Sequence, residues 1–239
     1  MDDCQVFERA PASKSKNQLK REAKQTPKSA PSGPLNVLSE LKDKPVAEIQ
    51  KIYRENMNAD KVCCLNLQSN ANAGMIIRTA NIFAMSEVII LGRRKFDPRA
   101  TVGADNYMDV TRIDATVGTE NDQLDIPKIL AYLTHWSQTH SIVFVELSPH
   151  AIDLREMNKN VAKDKPVMFI LGAENEGIPT EILQFKPSIC VQIPQKGVIP
   201  CFNVSIAFSI VASMYYFTER FLSFLLLLCL LQQRRTIPV

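Results

Sequence analysis

Metal-ligand spacing is missing from this chain. Its three histidines, His135, His140 and His150, are not spaced as a ligand set. The six cysteines, Cys4, Cys63, Cys64, Cys190, Cys201 and Cys229, contain no CxxC pair. Most sit in apolar runs, where a free thiol behaves as a small hydrophobe. No metal is therefore expected, and a reducing compartment is. A long membrane-spanning run is missing too. The strongly apolar Phe221–Leu231 stretch, followed by Arg234 and Arg235, falls short of the ~20 residues a spanning helix needs. Thr218-Glu219-Arg220 cuts it off from the apolar pattern upstream, so it reads as a buried helix or a subunit contact, with no membrane partner. Met1-Asp2-Asp3-Cys4 is acidic and no apolar core follows it, which argues against a secretory signal. An intracellular protein is expected, with the cytoplasm favoured. Net charge is scarce as well: +3 overall says little about a nucleic-acid partner. No internal repeat is visible.

What is present is a globular composition. The 239 residues are 46% hydrophobic and 22% charged, enough for one or two soluble domains with a sizeable core. The charge is unevenly placed. Arg9, Lys14, Lys16, Lys20, Arg21, Lys24 and Lys28 crowd a segment, residues 1–34, that is rich in Ser, Pro and Gln and has no hydrophobic period. It is expected to be disordered, serving either as a solubilising tail or as an arm that follows a phosphate backbone. Val46, Ile49, Ile52 and Tyr53 recur at helical spacing, so residues 35–59 read as a helical extension.

From Val62 the chain alternates apolar runs with helical patterns. Strands are expected at 62–67, 87–91, 110–113, 142–147, 167–171 and 189–193, with helices at 73–85, 126–138 and 203–217. Near-continuous Val/Ile/Leu strands between helices indicate an α/β fold with a mainly parallel sheet covered on both faces.

Three strand-to-helix loops carry the chemistry. The first strand runs into Leu67-Gln68-Ser69-Asn70-Ala71-Asn72-Ala73-Gly74, and the helix after it presents Arg78-Thr79. A guanidinium there suits a phosphate, or else bridges helix to loop. The 167–171 strand meets Gly172-Ala173-Glu174-Asn175-Glu176-Gly177, where Glu174 either holds Arg78 or accepts hydrogen bonds from a ligand. The last strand leads through Pro194-Gln195-Lys196-Gly197 to Cys201-Phe202-Asn203-Val204-Ser205. Asn203 stands at the start of the final helix, as an N-cap or as part of a site. Glycines 172, 177 and 197 permit positive φ or close backbone approach. Each loop alone is also an ordinary turn.

In order and content, these segments resemble the three motifs of the SpoU/TrmH family of RNA ribose 2′-O-methyltransferases. The matches are Asn72-x-Gly74-x-x-x-Arg78-Thr79, Leu171-Gly172-Ala173-Glu174-x-Glu176-Gly177-Ile178-Pro179, and Ile193-Pro194-x-x-Gly197 followed by Asn203-Val204-Ser205. The resemblance implies a methyltransferase domain over residues 60–217, with a C-terminal trefoil knot, an exception to the near absence of knots; residues 218–239 remain as an apolar tail. It further implies S-adenosyl-L-methionine as cofactor, a structured RNA (tRNA or rRNA) as substrate, and a homodimer with the site near the subunit interface. By residue, it puts cofactor contacts on Leu147, Gly172, Ile193 and Phe202, and the catalytic group on Asn72, Arg78, Glu174 and Asn203. Two departures stand out. Ser69-Asn70 replaces the usual Asp-Pro before the first motif, and Cys201-Phe202 replaces the usual Ser-Leu before Asn203. A thiol is a weaker hydrogen-bond donor than a hydroxyl, so a SPOUT-fold RNA-binding protein with weak or no transfer activity is the alternative.

Overall fold

A computed structural model of the chain describes residues 36–118 and 123–217. The basic arm at 1–34 and the apolar tail at 218–239 lie outside the described residues. The chain divides at Pro45/Val46. Of the N-terminal unit, residues 36–45 are described, with a single 3-10 turn at Ser39–Leu41.

The second unit is built on seven parallel strands: β1 (Lys61–Leu65), β2 (Glu87–Leu91), β3 (Asp109–Ile113), β4 (Ser141–Val145), β5 (Ile152–Asp153), β6 (Val167–Leu171) and β7 (Ile189–Gln192). They lie in the order β3-β2-β1-β6-β4-β7-β5. All the pairings are parallel. Parallel neighbours need crossovers, and α2 (Asn70–Ile82), α3 (Pro98–Thr101), α4 (Ile126–Ser137), α5 (Met157–Asn160) and α6 (Thr180–Leu183) lie in them, while α1 (Val46–Asn56) precedes β1 and the helix α7 at residues 204–217 follows β7. β6 is buried at every position, as its unbroken Val-Met-Phe-Ile-Leu sequence requires of a strand covered on both faces. Phe144 on β4, Phe169 on β6 and Phe208 on α7 are fully buried, and the rings of Phe169 and Phe208 meet edge to face at 6.1 Å.

Every long strand and helix expected from the sequence is present, with shifted ends. α2 starts at Asn70 rather than Ala73 because Ser69 caps it, its Oγ accepting from Asn72 N–H at 3.3 Å. It stops at Ile82, and Ala84 follows in the left-handed region with φ 47–52° neighbours elsewhere only at Asn66 and Val102 among non-glycine residues described. β5 is two residues long and carries too short a pattern to read in advance.

The parallel arrangement has one consequence for function. The loops after β1, β2, β4, β6 and β7 all leave the same edge of the sheet, where open α/β sheets bind ligands. The opposite edge is tied by a buried carboxylate: Asp60 accepts from Val167 N–H at 2.6 Å and from Tyr216 OH at 2.6 Å, joining β1, β6 and α7.

Candidate functional site

At the carboxyl edge of β4, β6 and β7 the loops enclose a cleft of about 390 Å³, within the range of small-molecule sites. Leu147, Gly172, Ile193 and Phe202, the four expected cofactor contacts, all line it, as do Glu174 and Asn203. Leu147 and Phe202 leave 44% and 43% of their surface open.

The turn after β6 forms one wall and is closed on itself. Ala173 and Gly177 exchange two backbone hydrogen bonds, at 3.1 and 2.9 Å. A Cβ on Gly172 would lie 2.3 Å from the Gly177 carbonyl carbon, so only glycine fits there. Gly177 itself has φ +64°, a conformation that L side chains adopt at a cost.

Glu174 projects from this turn toward the first motif. Its Oε2 accepts from Gln68 N–H at 2.7 Å, and its Oε1 accepts from Ser69 N–H at 3.0 Å and from Asn72 Nδ2 at 2.7 Å. Burial works to raise this carboxyl, but the hydrogen bonds from Gln68, Asn72 and Ser69 outweigh it and hold the pKa below the ordinary carboxylate value. Asn72, itself buried, passes the chain on: its Oδ1 accepts from Asn203 Nδ2 at 3.1 Å. Asn203 Oδ1 in turn accepts from Ser205 N–H at 3.0 Å and from Ser205 Oγ at 2.7 Å. Asn203 therefore caps α7 and, through Asn72, joins the hydrogen-bonded run beside the cleft. One continuous run of hydrogen bonds links all three sequence motifs beside the cleft.

Arg78 stands apart from this group. It lies on the exposed stripe of α2 with Met75 and Ile82, and is not among the residues lining the cleft. Among the described residues its side chain makes no hydrogen bond or ion pair, and Glu174 spends its bonds on the first-motif turn rather than on Arg78.

Glu146 was not singled out by the sequence. It follows β4 directly, lines the cleft, and accepts from Leu147 N–H and Ile178 N–H, both at 2.8 Å. Its Oε2 occupies the space a Cβ on Gly177 would need, 2.5 Å away. The thiol of Cys190 donates to the Glu146 carbonyl at 3.7 Å, and burial, with the Glu146 charge, pushes that thiol up to about 11. The available signal was a lone carboxylate at the end of an otherwise apolar strand. With Glu146, Glu174 and Glu176, the cleft has three carboxylates and no lysine or arginine among its lining residues.

Comparison with known proteins agrees with this geometry. The chain is 25% identical over 181 residues to a tRNA (guanosine(18)-2′-O)-methyltransferase of Borreliella burgdorferi, covering 74% of this chain and 75% of that protein. Its fold matches the A. aeolicus TrmH/SpoU tRNA modifying enzyme with a TM-score of 0.56 at 22% identity, over 71% of this chain and 81% of that one. It also matches an AdoMet-bound rRNA methyltransferase from Sinorhizobium meliloti, with a TM-score of 0.52 at 23% identity. That match covers 70% of this chain, which spans 58% of the Sinorhizobium protein's length. The sequence profile of the SpoU rRNA Methylase family extends over residues 61–213, taking in the sheet, the cleft and all three motifs, and the chain belongs to that family.

Proposed function

We propose that this protein transfers a methyl group from S-adenosyl-L-methionine to a ribose 2′-hydroxyl of a structured RNA, tRNA or rRNA. The observation that carries this reading is the hydrogen-bond run from Glu174 through Asn72 to Asn203, which draws the three family motifs together beside one cleft. The residues present fit the cofactor. Leu147, Ile193 and Phe202 offer apolar surface for a flat base, and the carboxylate-bearing, cation-free lining suits a ligand with a positive sulfonium. When bound, that sulfonium supplies an electrophilic methyl group.

The chain's own residues have separate tasks. Glu174 and Asn72 fix the first-motif turn against the cleft. Arg78 orients the RNA, and the hydroxyl proton passes to a phosphate or to solvent, since a guanidinium with pKa above ~12 is a poor base. Because Arg78 lies outside its own cleft, we assign it to the cleft of a second copy. The stripe that carries it is apolar and open: Met75 and Ile82 on α2 are 43% and 69% exposed, and Ile206, Met214 and Phe217 on α7 are 43%, 37% and 66% exposed. α2 and α7 lie side by side, with Thr79 Oγ1 and Ser209 Oγ 3.1 Å apart. Such a face supports a homodimer. The family's trefoil knot belongs to the same proposal, supported by β4 lying between β6 and β7 in the sheet, so that the chain crosses β4 between laying down the two. The free cysteines Cys63, Cys64, Cys190 and Cys201 support a reducing, cytoplasmic location.

Replacing Arg78 with Ala is expected to abolish methylation while S-adenosyl-L-methionine still binds in calorimetry; turnover that survives the change removes Arg78 from the mechanism. In a mixture of Arg78→Ala and Asn72→Ala chains, partial recovery of activity marks transfer of the arginine between subunits. The alternative, an inactive RNA-binding protein, rests on Cys201 and Phe202 lining the cleft where the family usually has Ser-Leu. Absence of cofactor binding to the wild-type chain favours it.

A further inference from the structure

The cleft accounts for one half of the sheet's carboxyl edge; the half beyond β1 carries a different charge. The segment after β2, Arg93-Arg94-Lys95-Phe96-Asp97-Pro98-Arg99, contains four cations and one carboxylate. Arg94, Lys95 and Arg99 are exposed. Arg112 on β3 holds the segment's shape from beneath, donating Nε to the Arg94 carbonyl at 3.2 Å and a terminal nitrogen to the Arg93 carbonyl at 3.0 Å. Among the described residues, Asp97 pairs with Arg99 at 2.9 Å and Asp114 with Arg93 at 3.5 Å. The Arg99 side chain is nevertheless 91% open to solvent, so its pairing leaves most of its surface available.

The segment is also fixed to the site. Asp97 N–H donates to the Asn70 carbonyl at 2.8 Å, two residues before Asn72. A Cβ on Gly74 would lie 2.6 Å from the Asp97 carbonyl oxygen and 2.7 Å from the Ala100 Cβ, so the segment packs directly on the first motif at its glycine. The Glu174–Asn72 link thus has a cleft lined by carboxylates on one side and a preformed basic rim on the other.

We propose that Arg94, Lys95 and Arg99 form a phosphate-binding rim that seats the RNA strand beside its target ribose. This rests on the methyltransferase reading and adds to it which surface holds the substrate. A polyanion is repelled by the cleft's carboxylates, and cations on a hydrogen-bonded loop attract it at a set distance from Asn72. Phosphate contacts position a nucleic acid without reading its sequence, so the rim sets which part of the strand reaches the site while other features choose the RNA.

The test uses the full chain with Arg94, Lys95 and Arg99 all changed to Gln, an unmodified tRNA transcript as probe, and fluorescence anisotropy across a salt series. Loss of three phosphate contacts is expected to reduce the slope of log affinity against log salt by about 2 to 3, and to weaken RNA binding at least tenfold at low salt. S-adenosyl-L-methionine affinity, measured by calorimetry, is expected to stay at the wild-type level, which also confirms that the triple variant folds. RNA affinity and salt slope unchanged in the triple variant overturn the rim. So does a variant lacking residues 1–34 that loses all RNA binding while the triple variant loses none. Wild-type chain that binds RNA but not the cofactor sinks the methyltransferase reading while leaving the rim's result to stand by itself.

Discussion

Two loops of the cleft, alike in sequence grammar, differ in how they are built. The turn at 172–177 follows β6 and is over-determined. It has a reciprocal pair of backbone bonds, one glycine with no room for a side chain, another at positive φ, and the carboxylates of Glu146 and Glu174 tying it to its surroundings. The stretch at 195–202 follows β7 and has no comparable internal bonding among the described residues. A Cβ added to Gly197 would meet nothing within 4 Å, and Val198 and Ile199 stand 98% and 71% exposed. One wall of the cleft is set before any ligand arrives, whereas the other has the freedom to close over one.

Changes in the rigid wall should therefore cost most. Gly172→Ala puts a methyl group into the Gly177–Ile178 backbone, and about 3 kcal/mol of destabilisation is expected from such overpacking. For a domain of this size that lowers the melting midpoint by roughly 6–12 °C, read by calorimetry. Glu174→Gln replaces an acceptor with an amide whose NH2 faces an N–H donor; about 1–3 kcal/mol is expected. This loss should depend on pH. The folded carboxyl sits below its ordinary value, so its contribution is fully present above the unfolded pKa, near ~4.3, and is lost as pH falls through the lower folded value. The stability gap between wild type and Glu174→Gln, taken from denaturant titrations, should be constant from pH 7 to 5 and shrink below that. A gap that grows on acidification contradicts the network.

Asn203→Ala comes next, with about 1 kcal/mol from the lost cap of α7 and, through the broken link to Asn72, weaker cofactor binding in calorimetry. Gly197→Ala, in the open loop, should stay within about 0.5 kcal/mol of wild type. Equal losses at Gly172 and Gly197 would erase the distinction between the two walls.

The same contrast shows what the sequence could disclose. The strands and the three motifs were legible because each is local: an apolar run of five, a glycine between polar residues, an asparagine before a helix. Gly172 and Gly177 were read correctly for that reason, while Gly197, with the same local look, has open space around it. Contacts across the chain were not legible. The bond from Glu174 to Asn72 spans 102 residues, and the part played by Glu146 depends on Ile178, 32 residues on. Arg78 shares a motif with Asn72 but not its place beside the cleft. Six residues on from Asn72 is about 120° short of a full turn at 100° per residue, so the two do not share a face, and that rotation was readable in the spacing.

The Asn72–Asn203 hydrogen bond crosses 131 positions of chain. During synthesis Asn72 emerges long before either of its partners, and the sheet around it is still without β6 and β7. The hydrogen-bonded run beside the cleft is thus a late product of folding: a growing polypeptide cannot complete it until α7 has docked, and proteolysis ahead of Asn203 would break it even with most of the sheet in place.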